Sequence, residues 1–419
     1  MHIRVDIIIT ALFLFTFVGC TTPHTIQEAP YGSWKRHIID NSSLGADGAR
    51  SLDVNQDGLP DIVAGWEQGG VSRIYLMTRK LGSKPEWIQI DAGPAPNVED
   101  ALFADVDQDG AIDVISSTEG QNKKVLIHWA PSKKKDYRDS SKWETETLFE
   151  DGSQWMFATA MDIDGKHGPD IVIGGKGIGA KLGWLQSPSD PRKLSDWKFH
   201  FLTTVGWTMS ILSQDMDDDG DSDILLSERK REHGGVQWLE NPGYQSTILD
   251  HPWNNHWIAN DMEEAMLIDT VDFDKDGIEE VIVPHYIDNN GYISIFKTED
   301  GAGWQEYPLT YPPNMGRAKA VAAGDLNLDG KTDLVLSTEH ADDDRSGIVW
   351  LEYQGSWDNP DWISHDVSGP EGIKFDLNLL LDIDGDTDLD IVNTEENNNA
   401  RDGNAGLGLI WYENPTIGD

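Results

Sequence analysis

The chain has 419 residues, 38% of them hydrophobic and 9% aromatic with 17 tryptophans, so it can bury a sizeable core and lacks the aromatic-poor composition of an acidic disordered chain. Its 74 Asp and Glu outnumber 32 Lys and Arg, giving a formal net charge of -42, and a surface this negative repels nucleic-acid phosphates and anionic lipid, which excludes nucleic acid as a partner. Cys20 is the only cysteine, so no disulfide can form within the chain, and metal becomes the natural organiser of so much acid.

Residues 1–19 place His2 and Arg4 ahead of an apolar run over 7–18, the pattern of a signal peptide and too short for a comfortable membrane span. Phe17-Val18-Gly19-Cys20 resembles the bacterial lipobox, which implies that Cys20 is lipidated and becomes the mature N-terminus. Thr21, rather than Asp, follows it, which favours the outer membrane in a Gram-negative cell. Residues 20–31 read as the lipidated cysteine and a polar tether, and 32–419 as the folded part. The expectation is an exported protein held at the cell envelope by lipid alone.

From Asp53 onward one acidic phrase dominates. Asp53-Val54-Asn55-Gln56-Asp57-Gly58-Leu59-Pro60-Asp61 returns in loops that start at Asp105, Asp162, Asp215, Asp272, Asp325 and Asp382, at intervals of 52, 57, 53, 57, 53 and 57 residues. That period belongs to propeller blades, and the count predicts seven. Oxygen ligands at positions 1, 3 and 5, a turn glycine at 6 and a carboxylate at 9 suit one hard cation. The bidentate Glu at position 12 and the flanking helices of an EF-hand are missing; β-branched runs such as Ile62-Val63 and Ile391-Val392 follow instead and read as strands.

The ligand sets are Asp53, Asn55, Asp57 and Asp61; Asp105, Asp107, Asp109 and Asp113; Asp215, Asp217, Asp219 and Asp223; Asp272, Asp274, Asp276 and Glu280; Asp325, Asn327, Asp329 and Asp333; and Asp382, Asp384, Asp386 and Asp390. The third loop has Lys166 where its third carboxylate would be, so its ammonium is expected to replace the ion. The seventh carries its glycine at position 4 and is still expected to bind. About six ions would bring the net charge from -42 to about -30.

Each loop sits between two strands of a four-strand phrase, whose third strand resembles Gly235-Val236-Gln237-Trp238-Leu239-Glu240 and whose fourth resembles Trp362-Ile363-Ser364-His365. Blade seven has no fourth strand after Asn414, whereas Trp34-Lys35-Arg36-His37-Ile38-Ile39 has its pattern. The predicted fold is therefore an all-β, seven-bladed propeller of four-stranded antiparallel blades, closed by the N-terminal strand completing blade seven. Over residues 33–415 the chain resembles FG-GAP or VCBS repeat proteins, such as the integrin alpha-subunit propeller. That resemblance implies calcium in the loops, on one rim, in a supporting role.

Function would then lie on the opposite rim, where the segments before each first strand and after each second strand surround the channel mouth. Before first strands stand Asp47, Glu99, Trp207, Glu264, Arg317, Lys319, Lys374 and Asp376. After second strands stand Trp66, Glu67, Glu119, Lys176, Arg229, His285, Tyr286, Glu339, His340 and Glu396. Seven similar blades bearing such different residues point to one specific ligand. The cations suit a carboxylate or sulfate, and Trp66, Trp155 and Trp207 suit stacking on sugar rings. The leading expectation is a monomeric surface protein that binds an extracellular glycan or protein ligand. The alternative is a lyase or dehydratase acting on a uronic or keto-sugar, with His285 or Tyr286 abstracting a proton while cations stabilise the enolate. Gly174-Gly175-Lys176-Gly177-Ile178-Gly179 links two strands rather than opening a helix, so it reads as a hairpin turn and not a phosphate loop.

Overall fold

The computed structural model describes residues 26–28 and 33–417, apart from 81–82, 230–233, 245–252, 261, 263, 288–289, 300–302, 344, 358–359 and 397–405. The expected signal peptide and Cys20 lie outside the described residues. Seven sheets form, one per repeat. Blade one runs outward from the axis as Ala46–Leu52, Asp61–Trp66, Val71–Thr78 and Glu86–Pro94, all antiparallel. Every residue of the second strand Asp61–Trp66 is buried, as in Asp113–Thr118, Asp223–Glu228, Asp333–Glu339 and Asp390–Glu395. These strands carry apolar runs because neighbouring blades cover both of their faces.

Closure follows the predicted route. Lys35–Asp40 pairs antiparallel with Gly408–Glu413, bringing His37 opposite Trp411, and becomes the outer strand of blade seven. The His37 ring stacks on Trp411 with centroids 4.2 Å apart, and its Nε2 lies 2.6 Å from Glu413 Oε2. The same trio recurs as Trp238, His256 and Glu240 and as Trp350, His365 and Glu352, with stacking at 4.1 Å in both. The aromatic therefore presents a flat face to a histidine fixed by its own carboxylate. Residues Ile26–Glu28, inside the stretch read as a tether, run parallel to Trp362–Asp366 on the outer edge of blade six. No helix among the described residues is long and apolar enough to cross a membrane.

The innermost strands line the channel and share one irregularity. Register shifts between Asp47 and Ala49, Val98 and Asp100, Trp155 and Ala158, Thr208 and Ser210, Ala318 and Ala320, and Phe375 and Asn378 mark a bulge near the same end of six blades. In blade five the strand is broken into Glu264–Ala265 and Asp269–Val271 instead. A bulge adds an unpaired residue and re-aims its side chain. Here the residues left unpaired include Glu99, Met156, Met209 and Lys319, each six places before its acidic loop and each lining the channel mouth.

Candidate functional site

On the loop rim, backbone geometry accounts for the acid pattern. The first loop Asp gathers backbone N–H groups: Asp53 accepts from Asp57 and Gly58 at 3.0 and 2.9 Å, and Asp325 from Asp329 and Gly330 at 3.0 and 2.9 Å. The ninth residue braces the blade. Asp61 accepts from the Val54 and Met77 N–H groups at 3.1 and 2.8 Å, and Asp113, Asp170, Asp223, Asp333 and Asp390 repeat the arrangement. Burial pushes the Asp61, Asp333 and Asp390 carboxyls up to about 7 and Asp113 up to about 8. Such buried acid fits a divalent cation, which would restore its charge.

Two loops carry their own ammonium. In blade three, Lys166 Nζ lies 3.3 Å from Asp164, as the sequence suggests, although the side chain is half exposed. In blade five, where an ion was expected, Lys297 from the third strand reaches Asp274 and Asp276 at 2.5 Å and Glu280 at 3.3 Å. One ammonium thus meets three of the four carboxylates assigned to metal there. The equivalent third-strand residue is Glu240, Glu352 or Glu413 in blades four, six and seven, so the difference is invisible from the loop alone.

At the opposite end lies a cavity of about 260 Å³, lined by Asp47, Glu67, Glu99, Glu119, Lys176, Trp207, Arg229, Lys319, Glu339, Lys374 and Glu396, with Met156, Phe157 and Met209. The charges pair closely. Lys176 bonds Glu119 and lies 3.3 Å from Glu99, Lys319 lies 3.1 Å from Asp376, and Lys374 bonds Glu396. Acid triplets at the mouth, Asp47 with Glu67 and Glu396 and Glu67 with Glu99 and Glu119, come within 4.8 Å of one another. Lys176 meets Glu99 and Glu119 and Lys374 meets Glu396, so three of these five carboxyl groups already face an ammonium.

Environments separate the carboxyls. Burial, then the charges of Asp376 and Glu99, raise Asp47 well above the usual carboxylate range. Burial raises Asp376 too, but Lys319 and a hydrogen bond with Asp47 outweigh it and leave its value lowered. Burial lifts Glu99 to about 7 against the pull of Lys176, with Glu119 adding to the rise. Around Glu339, Lys319, Arg229 and Arg317 overcome burial and keep the carboxyl below its ordinary value.

Seven residues expected at the mouth, Trp66, Glu264, His285, Tyr286, Arg317, His340 and Asp376, do not line the cavity. Asp376 backs Lys319, Arg317 bonds Glu264, and His340 sits at the exposed rim with φ of 59°. Trp66 is 1% exposed and donates its indole N–H to the Tyr75 hydroxyl at 2.9 Å. Trp155 is likewise core, and Trp207 is already faced by Lys176 and Arg229 at 4.5 and 4.1 Å from its ring centroid, so the expected triple stacking platform does not assemble. His285 and Tyr286, the expected proton-abstracting pair, are 3% and 2% exposed and do not line the cavity. His285 faces Ser294 Oγ at 2.9 Å, with burial lowering it to about 4; Tyr286 lies under the Arg317 guanidinium, and burial raises its hydroxyl, the wrong direction for a base. Met156 and Met209 also line the cavity and occupy the same repeat position as Asp47 and Glu99, but an apolar side chain in a repeat carries no signal that separates it from core.

An FG-GAP-like repeat model matches residues 53–116 and 272–336. The chain contains FG-GAP-like repeats. Among solved structures, this propeller is similar to BBS1N in complex with ARL6DN, soaked with lead, at 10% identity and a TM-score of 0.53, covering 93% of this chain and 98% of that one. The mercury-soaked form of that complex aligns at 11% identity and 0.53, covering 92% and 97%. Likeness at that identity shows the fold alone. No curated protein matches the chain.

Proposed function

We propose that the channel mouth takes a small, carboxylate-bearing polyol of sugar-acid size and eliminates water from it, or cleaves it, by proton transfer. One observation carries this reading: a single cavity holds Lys176, Arg229, Lys319 and Lys374 together with Glu99, whose carboxyl at about 7 is poised to exchange a proton near neutrality. Cations beside such a base stabilise the enolate that forms when the carbon next to a carboxylate loses its proton. With one proton on Asp47 and one shared by Glu99 and Glu119, four cations face four anions among the lining residues. The volume of about 260 Å³ lies just below the usual range of about 300–1,000 Å³ for small-molecule sites, which favours one sugar unit over a polymer or a protein surface.

Five loops, in blades one, two, four, six and seven, hold calcium in support of the fold, and the protein is exported and tethered through Cys20. The test is mass spectrometry of uronic, sulfated, neutral and keto-sugars after incubation with residues 21–419 in calcium. A product one water lighter, or an unsaturated fragment, is expected. Retention of a sugar with no change in mass would support the second reading, a glycan-binding module, which the extensive internal pairing of the mouth cations favours.

A further inference from the structure

The spot that Lys297 fills in blade five exists in every blade. Pairing of Ile171 with Leu185, Ile224 with Leu239, Val281 with Phe296, Leu334 with Leu351 and Ile391 with Tyr412 sets the next third-strand residue across from the ninth loop position. Those residues are Gln186, Glu240, Lys297, Glu352 and Glu413, and the same register gives Leu76 and Trp129 in blades one and two.

In three blades a donor and an acceptor meet there, one of them at loop position 3. Gln186 Nε2 donates to Asp164 at 2.6 Å, Lys297 Nζ to Asp274 at 2.5 Å, and Asn327 Nδ2 to Glu352 at 3.1 Å. Blade two borrows its donor from blade three: Arg192 bonds Asp107 at 2.5 Å, with its guanidinium 4.1 Å from the Trp129 ring centroid. Blade one has neutral Asn55 and apolar Leu76, and Asn55 turns its amide to Asp61 at 3.3 Å.

Blades four and seven break this pairing. There position 3 is Asp217 or Asp384 and the third-strand residue is Glu240 or Glu413, acid against acid, and no side-chain donor among the described residues reaches either Asp. The same two loops are the ones with an acid at position 7, where the others hold Leu59, Ala111, Gly168, Ile278 and Lys331. These acids, Asp221 and Asp388, are 8% and 0% exposed, and the Oδ1 of each is buried with no hydrogen-bond partner among the described residues. A carboxyl oxygen buried without a partner is costly, and so are facing acids; one divalent cation removes both deficits. The glutamates are also held from behind. Both contacts to Glu240 reach Oε2, from His256 Nε2 at 2.8 Å and Asn254 Nδ2 at 3.1 Å, which leaves Oε1 for a ligand, and His37 lies 2.6 Å from Glu413.

We propose that blades four and seven are the two tight calcium sites of the propeller, with Glu240 and Glu413 as ligands from outside the loop and Asp221 and Asp388 as added buried charge. The inference rests on the calcium reading of the loops above. Affinity in oxygen sites rises with ligand charge, so the remaining loops release their ions first. Blade seven has cations nearby, Lys35 at 2.6 Å from Glu413 and Arg79 at 3.7 Å from Asp382, so blade four holds its ion the longer of the two.

Native mass spectrometry of the purified protein through a series of buffered calcium concentrations tests this, with the charge-state envelope reporting folding in the same spectra. Two ions should persist in the wild type at free calcium about tenfold below the level that strips the rest. Glu240→Gln should leave one persistent ion. Lys297→Glu, which sets a carboxylate against Asp274, should add a third persistent ion, whereas Lys297→Ala adds only a weakly held one. Loss of every wild-type ion at one calcium concentration would overturn the proposal and leave the calcium reading standing. So would two persistent ions in folded Glu240→Gln, or an added ion that leaves Lys297→Glu as readily as Lys297→Ala. No bound ion at saturating calcium would overturn both.

Discussion

Thr387 and Gly385 show how one backbone trace serves two loop sequences. Five loops place a glycine at position 6 and tolerate a left-handed residue at position 4, such as Gln56 at φ 60° or Leu328 at φ 59°. Blades three and seven exchange the roles, with Gly165 and Gly385 at position 4 and His167 and Thr387 at position 6, where φ is 60° and 85°. The shifted glycine read from the sequence is thus a permutation within an unchanged turn. For a β-branched residue that conformation is strained, so Thr387→Gly should raise stability by about 1 kcal/mol in denaturant melts. His128 supplies a test in pH. It is fully buried between Ser116 Oγ and Thr145 Oγ1, both at 2.9 Å, and burial lowers it to about 3 from an ordinary 6.5. Between those values the unfolded chain binds a proton that the folded chain refuses, so its contribution is complete above 6.5 and is lost as pH falls toward 3. His128→Asn should flatten the acid limb of the stability curve by up to about 1.4 kcal/mol per pH unit.

At the scale of elements, the period of the acidic loops fixed the blade count, and the Trp-Lys-Arg-His phrase located the closing strand, because strand patterning is local. The metal occupancy of a blade was less legible, since Lys297 lies 21 residues beyond Asp276 and only strand pairing brings them together. Lys297→Ala should therefore open the blade-five loop, and native mass spectrometry should count one more bound calcium than in the wild type. The bulges were equally hidden: counting back from each loop reached Asp47, Glu99 and Lys319, but no sequence signal marked the same level as a ring that also holds Met156 and Met209. For the closing strand, His37→Ala removes the stack on Trp411 and the bond to Glu413. It should cost about 1–2 kcal/mol, measured by thermal or denaturant unfolding.

Across the whole molecule, the two rims divide the chemistry. Each acidic loop joins strands one and two at one end, while the bulged ends of the inner strands gather acids, cations and methionines at the other. His285 and Tyr286 misled the sequence reading because adjacency in a strand says nothing about which residue a neighbouring blade covers. The central claim is that proton transfer belongs to the channel mouth and calcium to the fold. Wild type, Asp217→Ala and Glu99→Gln should be incubated with the uronic and keto-sugar panel in deuterated water with calcium, counting deuterium in the sugars by mass. The account predicts that the wild type incorporates deuterium beside the carboxylate or keto group, that Asp217→Ala does so equally per folded molecule, and that Glu99→Gln does not. Incorporation that survives Glu99→Gln but disappears with Asp217→Ala would contradict it.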